Sequence, residues 1–445
     1  MLSNSTAMNV RSIKRSILII ILFSSSLSIA QTPQSMVETI MKASDSVEPQ
    51  VIEWRRHFHQ NPELSNREFQ TGKTIAQHLS EMGFEVQSEV ALTGVVALLK
   101  GGKPGPVVAL RADIDGLPVI ERVDLPFKSV VTSTYMDQEV GVMHACGHDT
   151  HIAMLLGAAK ILSEMKAEIP GTIKFIFQPA EEGAPRGEEG GASLMVKEGV
   201  LKNPDVDAIF GIHINAQTEV GTLKYRAGGL MAAADIFRIN IKGKQTHGST
   251  PWTGIDPIIV ASDIIQGFQK IVSRQMDLTE NAVVISVGKI ESGVRNNIIP
   301  ESAYLEGTIR TLDYDMQDDV HRRMRHVAKT IGDLYGAEVE IEIQKQTPVT
   351  FNHFELTAQM EPTLQKLTQN GGTLINSKAI TGAEDFAFYQ LEVPGMFVFV
   401  GGMTPGQDPS TAAPHHTPDF RIDEAGMKLG VRTYAMLALD YLFGQ

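Results

Sequence analysis

Cysteine is almost absent from this sequence, since Cys146 is the only one among 445 residues. One cysteine excludes an intramolecular disulfide. Cys146 lies in the stretch 143–151, MHACGHDTH, among three histidines and an aspartate. A thiol in such surroundings is better explained as a metal ligand or a nucleophile than as a core residue. We therefore expect the chemistry of the protein at this stretch.

Long apolar runs are also scarce, and the clearest one covers residues 17–23, ILIIILF. It follows the basic residues Arg11, Lys14 and Arg15 and precedes the small residues of Ser28-Ile29-Ala30. This pattern predicts a secretory signal over residues 1–30, and hence a periplasmic or secreted protein that leaves the membrane after cleavage. The alternative is an uncleaved membrane anchor, but the run is short for a span of about 20 residues.

Positive charge is in short supply, with 39 basic against 52 acidic residues and a net charge of −13. Removal of residues 1–30 takes away three positive charges and no negative one, so the mature charge becomes −13 − 3 = −16. Such a field repels polyanions, which argues against nucleic acid and anionic membranes as partners. It does not exclude an anionic substrate at a locally positive site.

The hydrophobic pattern of the first half predicts an α/β fold. Short apolar segments alternate with helical ones, which is typical of a central, mostly parallel sheet with flanking helices. The predicted strands are 95–99, 107–110, 172–177 and 208–214, and the predicted helices are 36–58, 67–83 and 150–166. We expect a later strand, 396–400, and a closing helix, 423–443, to rejoin this sheet.

The order of elements changes from residue 235 onward and predicts an insertion. Its pattern is β-α-β-β-α-β, which is the ferredoxin-like arrangement. The elements are strand 235–241, helix 257–275, strands 282–290 and 303–311, helix 316–335 and strand 337–343. We therefore predict a catalytic metal-binding domain of residues 31–232 and 347–445, and an inserted α+β domain of residues 233–346.

Residues suited to metal binding follow the predicted strands of the first domain, where an open α/β sheet binds its ligands. The stretches are RADIDGLP (111–118), QPAEEG (178–183), GIHI (211–214) and HHTPDF (415–420), in addition to the stretch around Cys146. Together they offer a cysteine, a glutamate and several histidines, which suit a borderline-soft divalent ion. One ion would leave donors over, whereas two ions sharing a bridging ligand would use them all. Of the adjacent Glu181 and Glu182, one can bind metal while the other takes a proton from water.

Each of these residues also has a structural explanation. Alone, His213 would be a hydrogen-bonded core histidine, Cys146 a small buried residue and the glutamate pair a solvated turn. Their joint occurrence favours the metal site. His144, His151 and His415 are weaker candidates for metal ligands, because each neighbours a stronger one. We expect His57 and His59 on a polar helix face.

A family resemblance rests on eight stretches in order: MHACGHDTHIAMLLGAA, FQPAEEG, GIHI, GKQTHGSTPWTGIDP, NNIIP, GTIR, GAEDFAFY and HHTPDF. From about residue 36 to its end, the chain resembles the metal-dependent aminoacylase, hippurate hydrolase and indole-acetyl-amino-acid hydrolase family. This family belongs to the larger group that includes the glutamate-releasing carboxypeptidases. Relatives often have two glycines where this chain has Lys244 and Gln245.

The resemblance implies two divalent ions in the larger domain. They are zinc or manganese, with cobalt or nickel as alternatives. The implied ligands are Cys146, which bridges the ions, with His148, Glu182, His213 and His416. Glu181 is the implied general base, and Asp115 and Glu384 are implied neighbours of the ligands.

The resemblance also gives the inserted domain a role as a lid and as the contact in a homodimer or homotetramer. On this lid, His247 would stabilise the oxyanion of the scissile carbonyl, from its own subunit or across a dimer. Asn297 and Arg310 would hold the carboxylate of the leaving amino acid.

We therefore predict hydrolysis of the amide bond in an N-acyl amino acid or dipeptide, which releases a carboxylic acid and an amino acid. The sequence leaves the acyl group open. One alternative is a non-catalytic binding protein on the same scaffold, which should lack a base or a ligand. The other is a cysteine hydrolase with Cys146 as nucleophile and His148 or His213 as base, which a chelator would not inhibit.

Overall fold

The computed structural model describes residues 32–445. The predicted signal segment, residues 1–30, lies outside the described residues. Within them, no helix has both the length and the apolar character that a bilayer span requires.

Six helices fall close to where the apolar periodicity predicts them, whereas the helix over 354–368, which contains Pro362, and the short helices over 191–197 and 387–390 were not predicted. The helices are α1 Gln34–Gln60, α2 Phe69–Glu81, α3 His148–Glu164, α4 Gly191–Lys197, α5 Pro257–Gln275, α6 Tyr314–Tyr335, α7 Phe354–Thr368, α8 Ala387–Gln390 and α9 Met427–Phe443. Side chains of Asp256 and Asp313 cap α5 and α6 by accepting hydrogen bonds from backbone N–H groups of the first turn.

The strands include every predicted one and several short ones. They are β1 Glu85–Val90, β2 Gly94–Lys100, β3 Lys103–Asp113, β4 Thr132–Tyr135, β5 Gln138–Gly141, β6 Pro170–Gln178, β7 Ala208–Glu219, β8 Thr222–Tyr225, β9 Gly228–Met231, β10 Ala233–Lys242, β11 Thr246–His247, β12 Val283–Ser292, β13 Ile298–Ile299, β14 Ser302–Thr311, β15 Glu338–Thr347, β16 Thr350–Asn352, β17 Thr373–Asn376 and β18 Gly395–Met403.

Eight strands form the central sheet, in the order β1-β2-β6-β3-β7-β18-β8-β17. The middle of the sheet is parallel, because β6, β3, β7 and β18 all run in one direction. Antiparallel pairs join β1 to β2, β2 to β6 and β18 to β8. This arrangement confirms the predicted α/β fold with a mostly parallel sheet.

Helices cover both faces of this sheet. Alternate residues of each strand point to opposite faces, so Leu110 and Phe175 pack with α1, α3 and α9, whereas Ala109 and Ile176 pack with α4 and α8. Both sets of side chains are fully buried. Parallel strands buried on both faces explain why their sequences read as continuous apolar runs.

A second sheet of four antiparallel strands has the order β12-β14-β10-β15. With α5 and α6 this gives β-α-β-β-α-β, so the predicted ferredoxin-like arrangement is confirmed. The two helices pack on one face, through residues such as Phe268 and Met324 against Phe237 and Leu305. The sheet begins at Ala233 and ends at Thr347. The predicted boundaries of the inserted domain, 233 and 346, lie next to these residues and stay a prediction.

Candidate metal centre

The predicted metal ligands converge at the carboxyl end of the parallel strands. Asp115 follows β3, the glutamate pair follows β6, and His213 lies within β7. Cys146 directly precedes α3, and His416 lies in the loop between β18 and α9. Carboxyl ends of parallel strands meet at one edge of a sheet, which brings residues distant in sequence to one site.

Two groups of donor atoms share the sulfur of Cys146. In each group the donor atoms lie within 4.8 Å of one another, and the members are Cys146, His148 and His213 in one and Cys146, Glu182 and His416 in the other. The Cys146 Sγ atom is 3.3 Å from His213 Nε2 and 3.3 Å from His416 Nε2. These five residues are the five predicted ligands, and the shared sulfur is placed to bridge two ions.

His148 presents one ring nitrogen to the site. Its Nδ1 donates to the carbonyl oxygen of Asp115 at 2.9 Å and lies 3.2 Å from that residue's carboxylate. This contact fixes the tautomer and leaves the buried Nε2 without a hydrogen-bond partner among the described residues. A buried nitrogen with no partner is costly unless something binds it. The residues present therefore fit a divalent ion at this position.

The protonation of the histidines bears on metal binding. Burial would lower the pKa of His148, but Asp113 and Asp115 outweigh it and raise the pKa to about 10. A divalent ion at Nε2 takes the place of that proton. Burial holds the pKa of His213 well below its usual range, and its Nδ1 donates to the Ile214 carbonyl at 2.5 Å. His213 is therefore a neutral imidazole with Nε2 free to bind metal.

Two of the weaker histidine candidates have both ring nitrogens in hydrogen bonds. His415 contacts the Cys146 carbonyl through Nδ1 at 3.0 Å, and its Nε2 accepts from the Ala216 N–H at 3.1 Å. His151 contacts Asp113 through Nδ1 at 2.5 Å and accepts from the Ile214 N–H through Nε2 at 2.8 Å. With both ring nitrogens engaged, these histidines hold the loop and the strand that carry the ligands.

His144 is the third weaker candidate, and neither of its buried ring nitrogens has a hydrogen-bond partner among the described residues. Burial lowers its pKa to about 4, so it is a neutral ring. Its atoms belong to none of the donor groups found within residues 32–445. We have no physical account of these two unpartnered nitrogens.

Glu181 lies beside the donors and within a cluster of carboxylates. Its Oε2 is 3.7 Å from His148 Nε2, and its carboxylate is within 4.8 Å of those of Glu384 and Asp385. Burial, and then the negative charges of Glu384 and Glu182, hold the pKa of Glu181 well above its usual range. A carboxylate with a raised pKa can take up and release a proton near neutral pH.

Arg111 organises this cluster and was missed as a site residue. Its guanidinium contacts Asp113, Glu384 and Asp385 at 2.6, 3.0 and 2.9 Å, and it is fully buried. Its Nε donates to Gln178 at 2.8 Å, at the end of the strand that leads to Glu181. The spacing of Arg111, Asp113 and Asp115 at one strand end was the sequence signal that could have identified it.

The thiol of Cys146 lacks the features of a nucleophile. Burial, and then the charges of Glu182 and Glu181, hold its pKa well above its usual range. The dipole at the N-terminus of α3 favours a thiolate, but the carboxylates outweigh it. Reactive cysteines lie in electropositive surroundings that lower their pKa, so the geometry disfavours the cysteine-hydrolase alternative.

The lid residues lie on the second sheet and its loops. His247 ends β11, which pairs with β13, and the Gly248 N–H donates to the Asn297 carbonyl at 2.8 Å. His247 and Asn297 are therefore neighbours, whereas Arg310 lies on β14. Among residues 32–445, no hydrogen bond or ion pair joins any of the three to the metal donors. Their predicted roles stay predictions.

One expectation about α1 is wrong. We expected His57 and His59 on a polar helix face, but only His57 is exposed. His59 is fully buried and contacts Asp149 at 2.9 Å and Glu121 at 3.2 Å. Asp149 also pairs with buried Arg55 at 2.8 Å. This ionic cluster fixes α1 against the start of α3, directly beside His148.

Comparison with known proteins agrees with this geometry. Residues 109–440 match the model of peptidase family M20/M25/M40. The chain belongs to this family. Among curated M20-like relatives, it is 40% identical over 408 residues to thermostable carboxypeptidase 2 of Saccharolobus solfataricus, covering 91% of this chain and 99% of the relative.

Two further relatives have names that state an acyl group. N-acetylcysteine deacetylase of Bacillus subtilis is 40% identical over 401 residues, which cover 90% of this chain and 99% of the relative. The IAA-amino acid hydrolase ILR1-like 2 of Arabidopsis thaliana is 36% identical over 403 residues, which cover 88% of this chain and 86% of the relative.

A solved structure from Bacillus subtilis, described as a dinuclear metal binding peptidase from the M20 family, has a TM-score of 0.76 and 36% identity. The match covers 89% of this chain and 99% of that one. Family membership confirms the predicted resemblance, the α/β fold and a hydrolase of amide bonds. M20 membership and the donor groups together support a metal-binding enzyme.

Proposed function

We propose that this protein is a metal-dependent amidohydrolase that cleaves N-acyl amino acids into a carboxylic acid and a free amino acid. The observation that carries the proposal is the pair of donor groups that share the Cys146 sulfur, with Glu181 beside them. M20 relatives that act on N-acetylcysteine and on IAA-amino acids support this substrate class. Dipeptides are included, since another relative is a carboxypeptidase.

The site holds two divalent ions in this proposal. His148 and His213 would hold one, Glu182 and His416 would hold the other, and the Cys146 sulfur belongs to both groups of donors. When bound, the ions polarise the scissile carbonyl and lower the pKa of a water molecule. A thiolate ligand favours zinc, and manganese, cobalt and nickel are the alternatives that reconstitution tests.

Glu181 is the proton carrier. Its carboxylate also lies within 4.8 Å of donor atoms of His148 and Glu182, but the proposal leaves it without an ion because Glu182 is the carboxylate that approaches His416 Nε2, at 3.1 Å. Its carboxylate takes the proton of the attacking water and then delivers it to the departing amine. Glu384 lies within 4.8 Å of Glu181 and Asp115 contacts His148, so in this proposal both act through these residues and not on the substrate.

His247 supplies a hydrogen bond to the oxyanion. Its Nδ1 accepts from the backbone N–H of Ser249 at 3.1 Å and contacts the hydroxyl of the same residue at 2.8 Å. The proton of the neutral ring therefore lies on Nε2, which is exposed and free to donate. When the lid closes, this N–H stabilises the negative charge on the carbonyl oxygen.

Arg310 holds the carboxylate of the leaving amino acid, together with Asn297. The Arg310 guanidinium donates to the Ile309 carbonyl at 3.1 Å, and among the described residues no acidic group pairs with it. A half-buried arginine without an acidic partner is suited to bind a carboxylate through paired hydrogen bonds.

The setting of the enzyme follows from the sequence alone. The basic, apolar and small residues of segment 1–30 support secretion or export to the periplasm. The lid supports a homodimer or homotetramer, in which His247 acts within its own subunit or across the dimer.

The test is turnover of an N-acyl amino acid panel by the metal-free protein reconstituted with zinc, manganese, cobalt or nickel, followed by mass spectrometry. We expect release of free amino acid with at least one metal and loss of activity on addition of a chelator. Hydrolysis that persists in excess chelator would overturn the metal mechanism, and no turnover of any N-acyl amino acid would overturn the substrate class.

A further inference from the structure

A cavity of 360 Å³ opens beside the metal donors, and Glu182 lies in its wall. The lining residues come from four segments of the catalytic part. They include Leu64, Leu117, Pro118, Tyr135, Met136 and Arg186. Its volume lies near the lower end of the range for small-molecule sites, about 300–1,000 Å³. A cavity of 620 Å³ on the second sheet is lined mostly by polar and charged residues, none of them a metal donor.

Two of the large side chains in the wall, Tyr135 and Met136, come from the hairpin of β4 and β5. Met136 and Asp137 form the turn of this hairpin with φ angles of 49° and 62°. Two successive residues with positive φ are typical of a type I′ turn, in which asparagine and glycine are preferred. A methionine is strained there, because the left-handed conformation brings its Cβ close to the backbone.

Met136 is also exposed, at 71% of its surface, and Tyr135 beside it is exposed at 41%. No core contact therefore explains why a strained position carries a large apolar side chain. Strain retained without a packing gain is a reason to consider a role in binding. The thioether of methionine adapts its shape to apolar ligands of varied outline.

We propose that this cavity binds the acyl group of the substrate, and that the acyl group is apolar and larger than acetyl, such as an aromatic or medium-chain acyl. This proposal rests on the proposed function and adds the acyl class to it. An acetyl group has two carbon atoms and would leave most of the cavity unfilled, whereas a larger acyl group would bury the side chains of Leu117, Tyr135 and Met136.

Arg186 adds a polar end to the cavity. It is exposed, and among the described residues it has no acidic partner, whereas Arg67 nearby pairs with Glu188 at 2.6 Å. An acyl group that carries an acceptor at its far end would meet this guanidinium.

The chain offers a matched control for Met136. Leu92 is also a large apolar residue in a turn, with a φ of 80° and 47% exposure, but it lies outside the cavity. Asparagine tolerates positive φ, so Met136→Asn and Leu92→Asn both keep their turns while removing an apolar side chain. Met136→Leu restores apolar character at the cavity.

The experiment measures kcat/KM of the metal-loaded enzyme for N-acetyl-, N-hexanoyl- and N-benzoylalanine, and for N-benzoylglycine and N-benzoylleucine. We expect the native enzyme to prefer the larger acyl groups. In Met136→Asn the ratio of benzoyl to acetyl kcat/KM should fall about tenfold, whereas Leu92→Asn and Met136→Leu should keep the native ratio.

Native preference for acetyl over the larger groups would overturn this inference and leave the proposed function standing. If Met136→Asn changed the preference among the alanine, glycine and leucine substrates but kept the benzoyl-to-acetyl ratio, the cavity would bind the amino acid side chain. That result would also overturn this inference. Turnover of none of these substrates by the native enzyme would overturn the inference together with the proposed function.

Discussion

Glu181 differs from Glu182 in what surrounds it, although the two are adjacent in sequence. Glu182 lies among donors that share the Cys146 sulfur, whereas Glu181 faces Glu384 and Asp385. Replacing Glu181 with glutamine keeps the shape of the side chain and removes its ability to carry a proton. We expect Glu181→Gln to bind both metals and to lose roughly 10²–10⁴-fold in kcat. Metal content and kcat, measured on the same preparation of the variant, test this prediction. A near-native kcat would contradict the role of Glu181 as proton carrier.

His416 and its neighbour His415 are chemically identical, yet only His416 belongs to a donor group. The His416 side chain is 54% exposed, so its loss should leave the fold intact. We expect His416→Ala to bind about one ion instead of two, because one of the paired sites loses a ligand. Mass spectrometry under native conditions measures the stoichiometry, and circular dichroism checks the fold. Two tightly bound ions in this variant would remove His416 from the ligand set.

At the residue scale the predicted strand ends indicated most of the stretches that converge, and the family resemblance singled out the five donors, His416 among them. The residue pattern alone could not separate His416 from His415. That distinction depends on His415 contacting two backbone groups that are 199 and 269 residues away along the chain. His59 was misjudged for the same reason, since its partners Asp149 and Glu121 belong to distant segments. Helical position alone cannot show that a polar residue has buried ionic partners.

At the scale of elements, the central strands were predicted and several peripheral ones were not. β1 and β17 lie at the two edges of the central sheet, and most of their residues are exposed. Edge strands carry polar side chains and lack the apolar run that reveals a buried parallel strand. The strands of the second sheet were predicted because one face is buried, which gives the alternation of β10 and β14.

The contact between α1 and α3 depends on an ionic cluster that gives the fold a specific pH dependence. Burial alone would lower the pKa of His59, but Asp149 and Glu121 outweigh it and raise the pKa above 6.5. A raised folded-state pKa contributes stability that is complete below pH 6.5 and is lost as the pH rises through the folded-state pKa. We expect His59→Phe to lower the free energy of unfolding by about 3–5 kcal/mol at low pH, because buried Glu121 loses its ionic partner and Asp149 keeps only Arg55.

Urea unfolding at several pH values measures this difference, with His57→Phe as the control on the exposed face of the same helix. The loss in His59→Phe should shrink as the pH rises through the folded-state pKa, while His57→Phe should stay close to the native protein throughout. Equal stability of the two variants at every pH would show that the cluster does not stabilise the contact.

Helix α2 packs closely on the turn between β1 and β2 through a glycine. A Cβ atom at Gly72 would lie 2.3 Å from the backbone oxygen of Thr93. Alanine is the better helix former by about 1 kcal/mol, so helix propensity alone predicts a gain in stability. We expect Gly72→Ala to lower stability by about 1–3 kcal/mol instead, because backbone cannot move aside as a flexible side chain does. Thermal unfolding measures this loss of stability. The control is Lys73→Ala, at an exposed position of the same helix. A higher melting temperature for Gly72→Ala than for the native protein would refute the close contact.

At the scale of the whole molecule, metal binding connects four distant segments: the ends of β6 and β7, the start of α3 and the loop before α9. Metal affinity should therefore depend on pH, and bound metal should stabilise the fold. Burial and nearby carboxylates hold the pKa of Cys146 well above its usual range, and that of His148 is about 10, so both groups carry protons near neutral pH. Binding of zinc must displace these protons, which makes the affinity fall as the pH falls.

We therefore expect the release of roughly two protons when the metal-free protein takes up its ions near pH 7. Calorimetric titration in buffers of different ionisation enthalpy counts these protons, and Cys146→Ser should reduce the count by about one. The melting temperature should rise on metal binding, since only the folded chain brings donors from these four segments together. An affinity that is constant between about pH 8 and about pH 6 would contradict the assignment, because ligands that are already deprotonated give no such dependence.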